Sequence, residues 1–231
     1  MDKELLTLLR SVDTPTVCNA IEVAQGKRGF DAFTRGTVLC SAPEAQPAVG
    51  YARTAKIAAR MPSRDDPALI RERRMAYYEH MASGSEPRMA VIEDLDFPEA
   101  VGAFWGEINA TVHQGLGLSG ALTNGVMRDL GDVPKDFPII AGSVGPSHAF
   151  VRVEAVATTV SVFGMTVSPG DLVHADRHGA VVVPPDIIPV LADCIRKLQA
   201  TEQIILAPAR NPGFDIQQFK TAWQAFEKSR T

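Results

Sequence analysis

Two adjacent residues of opposite charge, Arg128 and Asp129, follow the stretch Thr123-Asn124-Gly125-Val126-Met127 in a chain of 231 residues. Such a pair can divide chemical labour. The Asp129 carboxylate could hold a hard divalent cation by oxygen. The Arg128 guanidinium could grip a carboxylate with two parallel hydrogen bonds and neutralise developing negative charge. The same pair also has a bland reading, a surface ion pair worth about 0 to 1 kcal/mol. A second stretch, Phe104-Trp105-Gly106-Glu107-Ile108-Asn109-Ala110, sets a glycine and an acid at a helix start. The N–H groups of Glu107, Ile108 and Asn109 would then face outward, ready for a carboxylate or phosphate. A third, Gly170-Asp171 and then Ala175-Asp176-Arg177-His178-Gly179-Ala180-Val181-Val182-Val183-Pro184, adds acids beside turns. These three features point to one place.

Other spacings fail on context. Gly115, Gly117 and Gly120 match G-x-G-x-x-G, but a dinucleotide fingerprint must follow a strand and open a helix. Here a helix ends and a strand begins, so the glycines read as a helix stop and a tight turn. His174 and His178 have the spacing of two ligands on a helix, yet they lie in strand, turn and strand text. No P-loop, nucleophile elbow or H-E-x-x-H occurs. Cys18, Cys40 and Cys194 are odd in number and form no C-x-x-C, which argues against a disulfide framework and for buried thiols.

Composition narrows the classes further. Hydrophobic residues make 45% and charged residues 22%, as in an ordinary globular chain, which excludes overall disorder. No run approaches the roughly 18 to 20 apolar residues of a membrane span. Net charge is −4, with a pI near 5.7, so no overall positive field exists to hold nucleic acid. The N-terminus mixes acids with bases and has no secretory pattern, so a cytoplasmic protein is expected.

The elements that would carry these residues follow from periodicity and caps. Lys3–Ser11 reads as a helix, and a second starts at Asp13 or Thr14 with Pro15 in its first turn and Gly26 as its stop. Strands are expected at 36–40 and 50–59. A charged helix follows, capped by Asp65 or Asp66, with Pro67 at its first position and an end at Gly84. Arg88–Glu93 reads as a buried strand. A loop and a helix entered at Gly106 run to Gly115, and further strands are expected at 118–124, 138–141, 149–162, 171–175 and 180–183. From Asp186 to about Ala207 the apolar residues recur at three- and four-residue steps, as in a helix. A turn-rich connector at 208–213 leads to a last helix over 214–228 carrying Phe219, Trp223 and Phe226. The fold class is therefore α/β with a mixed sheet, in one domain.

Taken together, these motifs resemble the RraA-like family. Gly-Glu followed by N-G-V-M-R-D, then G-D-x-V-x-A-D-x-x-G-x-V-V-V-P, carries the likeness, with T-P-T-V-C-N-A (14–20) and G-Y-A-R-T-A (50–55). That family includes 4-hydroxy-4-methyl-2-oxoglutarate aldolases and regulators of ribonuclease activity. The resemblance implies a layered, swivelling β/β/α-type domain over 1–207, with C-terminal helices over 208–231, assembled as a homotrimer or hexamer. It implies that Arg128 binds the keto-acid carboxylate and stabilises an enolate, and that Asp129 binds Mg2+ or Mn2+. Glu107 stands where the aldolases carry an aspartate holding a metal-bound water. Gly106 and the amides of Ile108 and Asn109 would receive the pyruvate carboxylate, and Glu202 would act from across a subunit boundary.

Two functions follow from the resemblance. The first is a metal-dependent lyase: retro-aldol cleavage of an α-keto acid, or decarboxylation of oxaloacetate, through a metal-stabilised pyruvate enolate. Arg128, Glu107 and Glu202 are its expected catalytic residues, and a small α-keto acid its expected partner, with no membrane and no direct nucleic acid. The second is a non-catalytic regulator that masks a ribonuclease by surface contact.

Overall fold

The computed structural model describes residues 1–229. In chain order the elements are α1 (Lys3–Ser11), α2 (Thr14–Gln25), β1 (Leu39–Cys40), β2 (Ala48–Ala58), α3 (Pro67–Ala82), β3 (Arg88–Asp94) and β4 (Ala103–Trp105). Then come α4 (Glu107–Gly115), β5 (Leu118–Thr123), β6 (Val126–Met127), β7 (Ile139–Ala141), β8 (Ser143–Val144), β9 (Arg152–Val156) and β10 (Val160–Val162). The chain finishes with β11 (Met165–Val167), β12 (Leu172–Asp176), β13 (Gly179–Val183), α5 (Ile188–Ala209) and α6 (Ile216–Ser229).

Local chemistry explains the best-defined boundaries. Asp13 caps α2 by accepting the Thr16 N–H at 3.0 Å, Pro15 occupies the first turn, and Gly26 ends the helix in the left-handed region at φ 63°. Asp66 caps α3 by accepting the Ala68 N–H at 2.7 Å, with Pro67 as its first residue. Gly117, at φ 84°, turns the chain from α4 into β5. That is the helix-to-strand order that separates this glycine run from a dinucleotide loop.

The main sheet is eight-stranded and mixed, in the order β1-β7-β5-β3-β2-β12-β13, with β9 also pairing with β2. Strands β2, β3, β5 and β7 are parallel, whereas β1, β9, β12 and β13 run antiparallel to their neighbours. Side chains of β3 alternate between two cores. Ala90 and Ile92 join Tyr77, Met81 and Trp105 on the face covered by α3 and α4. Met89 and Val91 join Val160, Val162 and Met165 on the face covered by the β10–β11 hairpin. A strand covered on both faces reads as a continuous apolar run, which is why Arg88–Glu93 was legible without alternation. A third core packs α1, α2 and α5 against β12 and β13. Helices, sheet and hairpin thus form the layers of an RraA-like α/β fold, with α6 packed on α5 at the C-terminal end.

Several expected elements differ. The strand expected at 149–162 is two, β9 and β10, because Ala157 takes φ 56° and turns the chain. The strand expected at 36–40 shrinks to Leu39–Cys40. Helix α5 continues through Pro208 to Ala209 rather than stopping at 207. Strands β4, β6, β8 and β11 have two or three residues each, too few for a period of two to register. Residues 230 and 231 of the expected C-terminal helical segment lie outside the described residues. Among the described residues no helix is long and apolar enough to cross a membrane.

Gly120, the last glycine of the run, sits within β5 where a Cβ would lie 2.6 Å from Ala48 Cβ and 2.7 Å from the Pro138 carbonyl oxygen. Gly120→Ala is expected to destabilise the fold by about 1–3 kcal/mol, since core overpacking forces backbone shifts. Urea unfolding checks this, and an unchanged midpoint would show that the contact is slack.

Candidate functional site

A second, small parallel sheet, β4-β6-β8, carries the Arg128–Asp129 pair. The Arg128 N–H donates to the Trp105 carbonyl at 2.9 Å, and the Gly145 N–H donates to the Met127 carbonyl at 3.0 Å, so β6 is clamped on both sides. The chain leaves β4 directly into α4 and leaves β6 directly into Arg128. Asp129 adopts φ 54°, a region in which aspartate is enriched among non-glycine residues. Its carbonyl accepts the N–H groups of Asp132 and Val133 at 2.9 and 3.1 Å, which fixes the turn.

The two charged side chains meet at the start of α4. Arg128 Nε lies 3.3 Å from Asp129 Oδ2, and the side chains are 34% and 35% exposed. The same oxygen accepts the Glu107 N–H at 3.3 Å. Helix α4 has no side-chain cap of its own at Gly106, so Asp129 supplies a carboxylate to the positive end of the helix from a separate loop. A Cβ on Gly106 would sit 2.5 Å from Asp129 Oδ2 and 3.1 Å from Arg128 Cγ. Only glycine permits this approach.

The helix is held from behind by a buried polar network that the motif analysis did not foresee. His113 is fully buried; its Nε2 lies 2.6 Å from the Tyr77 hydroxyl and its Nδ1 lies 2.6 Å from the Asn109 carbonyl oxygen. The Tyr78 hydroxyl donates to Asn109 Oδ1 at 2.6 Å, and Asn109 Nδ2 donates to the Phe104 carbonyl at 2.5 Å. Helix α3 thereby locks the rotation of α4. The spacing of Asn109 and His113, four apart on one helix face, was the available signal. Beneath β6, Asn124 bonds the backbone of Asp94 from both ends of its amide, at 2.7 and 3.2 Å. Burial pushes the Asp94 carboxyl up to about 6.

The structure brings Gly106, Glu107, Ile108, Asn109, Arg128 and Asp129 together. The Glu107 and Ile108 side chains point outward and are exposed, whereas the Asn109 side chain is spent on Tyr78 and Phe104. Within this one chain Glu202 lies apart from them. It lines a separate cleft between α2, α5 and α6.

The third motif also serves another end of the molecule. Asp171 accepts the Ser168 N–H at 2.7 Å in the turn before β12. Asp176 accepts the Thr14 N–H at 2.9 Å and the His178 N–H at 2.8 Å, joining the start of α2 to the β12–β13 turn. His174 is buried, with Nδ1 3.0 Å from Thr14 Oγ1 and Nε2 2.9 Å from the Leu9 carbonyl oxygen. It is a tie between α1, α2 and the sheet. The three cysteines are free and half-buried, and burial pushes the Cys18 thiol up to about 11.

The charge pattern suits a carboxylate cap better than a chelate. Among the described residues, no three His, Cys, Asp or Glu side chains converge as a metal ligand set. The Asp129 Oδ2 faces a guanidinium and a helix N-terminus. Both are positive and repel a divalent cation. The residues therefore do not fit the expected Mg2+ or Mn2+.

Comparison with known proteins agrees with the fold. The profile RraA-like: Aldolase/RraA matches residues 14–182. The chain belongs to the RraA-like family. Streptomyces coelicolor RraAS2, named as an unusual member of the RNase ES inhibitor RraA protein family, superposes with a TM-score of 0.66. It is 26% identical, with 88% of this RraA-like chain and 96% of that one covered. An uncharacterized protein from Pseudomonas syringae pv. tomato gives a TM-score of 0.71 at 18% identity, covering 97% and 95% of the two chains. The RNA-processing inhibitor RraA from Thermus thermophilis gives 0.51 at 18% identity, covering 66% and 84%, a likeness of fold alone. Protein MJ0644 of Methanocaldococcus jannaschii is 25% identical over 105 residues, 45% of this chain and 50% of its own length. The chain thus matches about half the length of that curated relative.

The expected metal-dependent lyase is overturned. The ligand set for magnesium or manganese is missing among the described residues, and the RraAS2 protein, 26% identical, is named within an RNase ES inhibitor family. Aldolase, decarboxylase and pyruvate-enolate roles for Arg128, Glu107 and Glu202 fall with the metal.

Two outcomes test the architecture of this site. Gly106→Ala is expected to push the Asp129 carboxylate off the helix start and destabilise the protein by about 1–3 kcal/mol; an unchanged melting midpoint would contradict the close approach. The second concerns His113, which burial holds down at about 4 despite the Asn109 carbonyl. A histidine depressed below its ordinary value contributes stability that is present above about 6.5 and lost as pH falls towards 4. The raised Asp94 acts with the opposite sign, taking its proton first in the folded state as pH falls through about 6. His113→Gln isolates the histidine: between about pH 7 and about pH 4.5 it should lose on the order of 2 kcal/mol less stability than the parent. Parallel pH curves in urea unfolding would refute this.

Proposed function

We propose that this RraA-like chain is a non-catalytic regulator that binds a ribonuclease by surface contact. The observation that supports it best is the likeness to the RraAS2 protein, 26% identical across 88% of this chain and named within an RNase ES inhibitor family. The Arg128–Asp129 site has the composition of a contact surface. Ile108, Leu130 and Val144 are 74%, 46% and 50% exposed around it, beside the charged Glu107, Arg128 and Asp129. Apolar anchors within a charged rim are how such interfaces gain affinity and register. The net charge of −4 favours approach to a basic, RNA-binding surface on the partner. We assign Gly106, Glu107, Ile108, Asn109, Arg128 and Asp129 to this surface, in a cytoplasmic homotrimer whose RraA-like module spans 1–207 and carries a helical extension over 208–231.

Immobilised ribonuclease of the E type should retain the purified chain and cleave RNA more slowly in its presence. Ile108→Asp and Arg128→Glu should each weaken that association by at least about 10-fold, the loss typical of a central anchor. No retention, or undiminished RNA cleavage at saturating chain, would overturn the reading.

A further inference from the structure

Three segments meet where β2 and β3 end. The Leu95 N–H donates to the Ile57 carbonyl at 2.9 Å, and the Phe150 N–H donates to the Ala59 carbonyl at 3.1 Å. Asp96 Oδ2 accepts the N–H groups of Ala59 and Arg60 at 2.6 and 2.9 Å. Arg152 Nη1 donates to the Met61 carbonyl at 2.6 Å. A Cβ on Gly102 would collide with Ala59 Cβ and lie 2.7 Å from the His148 carbonyl oxygen. Residues 57–61, 95–102 and 147–150 are thus bonded into one surface. On it Met61, Leu95, Phe97, Val101 and Phe150 are each between 46% and 70% exposed, although Phe97 rests edge-on against Phe163 with ring centroids 5.7 Å apart. Together they leave on the order of 400 Å2 of apolar area uncovered, the size of the largest patch on an ordinary monomer, which is often functional.

We propose that this apolar face is where copies of the chain bind one another. The inference rests on the homotrimer proposed above and names the face that joins it. Charge selects the occupant. Symmetric contact brings like charges near like, which opposes association unless those charges are already answered. Here they are. Arg60 is paired with Glu99, and the Asp96 carboxylate is held by the amides of Ala59 and Arg60. An apolar face is also complementary to its own copy, as contact about a closed symmetry axis requires. Interfaces between permanent copies are more apolar than those with transient partners. The Arg128–Asp129 surface differs in this respect, since its apolar side chains are interleaved with Glu107, Arg128 and Asp129. A stable interface covers about 800 Å2 on each partner, and the five side chains supply roughly half of that as its apolar core.

Sedimentation of the full chain across a dilution series tests this. The parent should run as a multiple of the 24.9 kDa chain. The double variant Met61→Asp, Phe150→Asp should dissociate at concentrations at least about 10-fold higher than the parent, the loss expected of central anchors, while keeping the parent's far-UV circular dichroism. Met61→Asp alone, at the most exposed of the five positions, should shift dissociation in the same direction and carries the test if the double variant does not fold. Ile108→Asp, on the other surface, should dissociate like the parent. A parent that runs as a single chain overturns the homotrimer and this face together. A multimeric parent whose folded variants dissociate no more readily overturns this face alone, as does dissociation caused by Ile108→Asp only. Retention by ribonuclease is a separate measurement, and its failure leaves the sedimentation result standing.

Discussion

The approach of Gly106 to the Asp129 carboxylate is the contact around which the candidate site is organised. A side chain at Gly106 would collide with both Asp129 and Arg128, so the absence of one lets two loops close on each other. Asp129 in turn takes a left-handed backbone conformation and turns its carboxylate to the start of α4. A helix end needs acceptors for its first N–H groups, and here a distant loop supplies one. That arrangement ties the small β4-β6-β8 sheet to α4, while Tyr77, Tyr78 and His113 tie α4 to α3. The geometry of the surface is thus over-determined from two sides.

The same contact explains why an aspartate beside an arginine is misleading when read as a metal ligand. In sequence the pair offers an anion for a cation and a cation for a substrate. In space the anion is already answered by the arginine and by the helix end, and among the described residues no set of three His, Cys, Asp or Glu side chains converges. What is left to partners is the periphery: exposed apolar side chains at Ile108, Leu130 and Val144 interleaved with charge.

The layers distribute the work. Parallel strands β2, β3, β5 and β7 are buried between α3 and α4 on one face and the β10–β11 hairpin on the other. The antiparallel edge, β12 and β13, is covered by α1, α2 and α5. The small sheet and its surface lie beside α4, whereas the cleft holding Glu202 lies among α2, α5 and α6. Two polar features of different character therefore occupy separate parts of one fold.

Local rules made much of this architecture readable from sequence. Aspartate caps, first-turn prolines and a left-handed glycine defined α2 and α3, because capping involves residues only three or four apart. The apolar run of β3 announced a strand buried on both faces, and Gly-rich text between α4 and β5 announced a turn. The grouping of Gly106 to Asn109 with Arg128 and Asp129 was legible from the motifs and their likeness to the family, whereas the short strands β4 and β6 that hold the two segments together left no period to read. Only the tertiary structure decided what lay at long range. It set Asp171 in the turn before β12, Asp176 at the start of α2 and Glu202 in another cleft, and it faced Asp129 with positive charge. Sequence spacing says nothing about which strand neighbours which, and a ligand set is a statement about convergence in space.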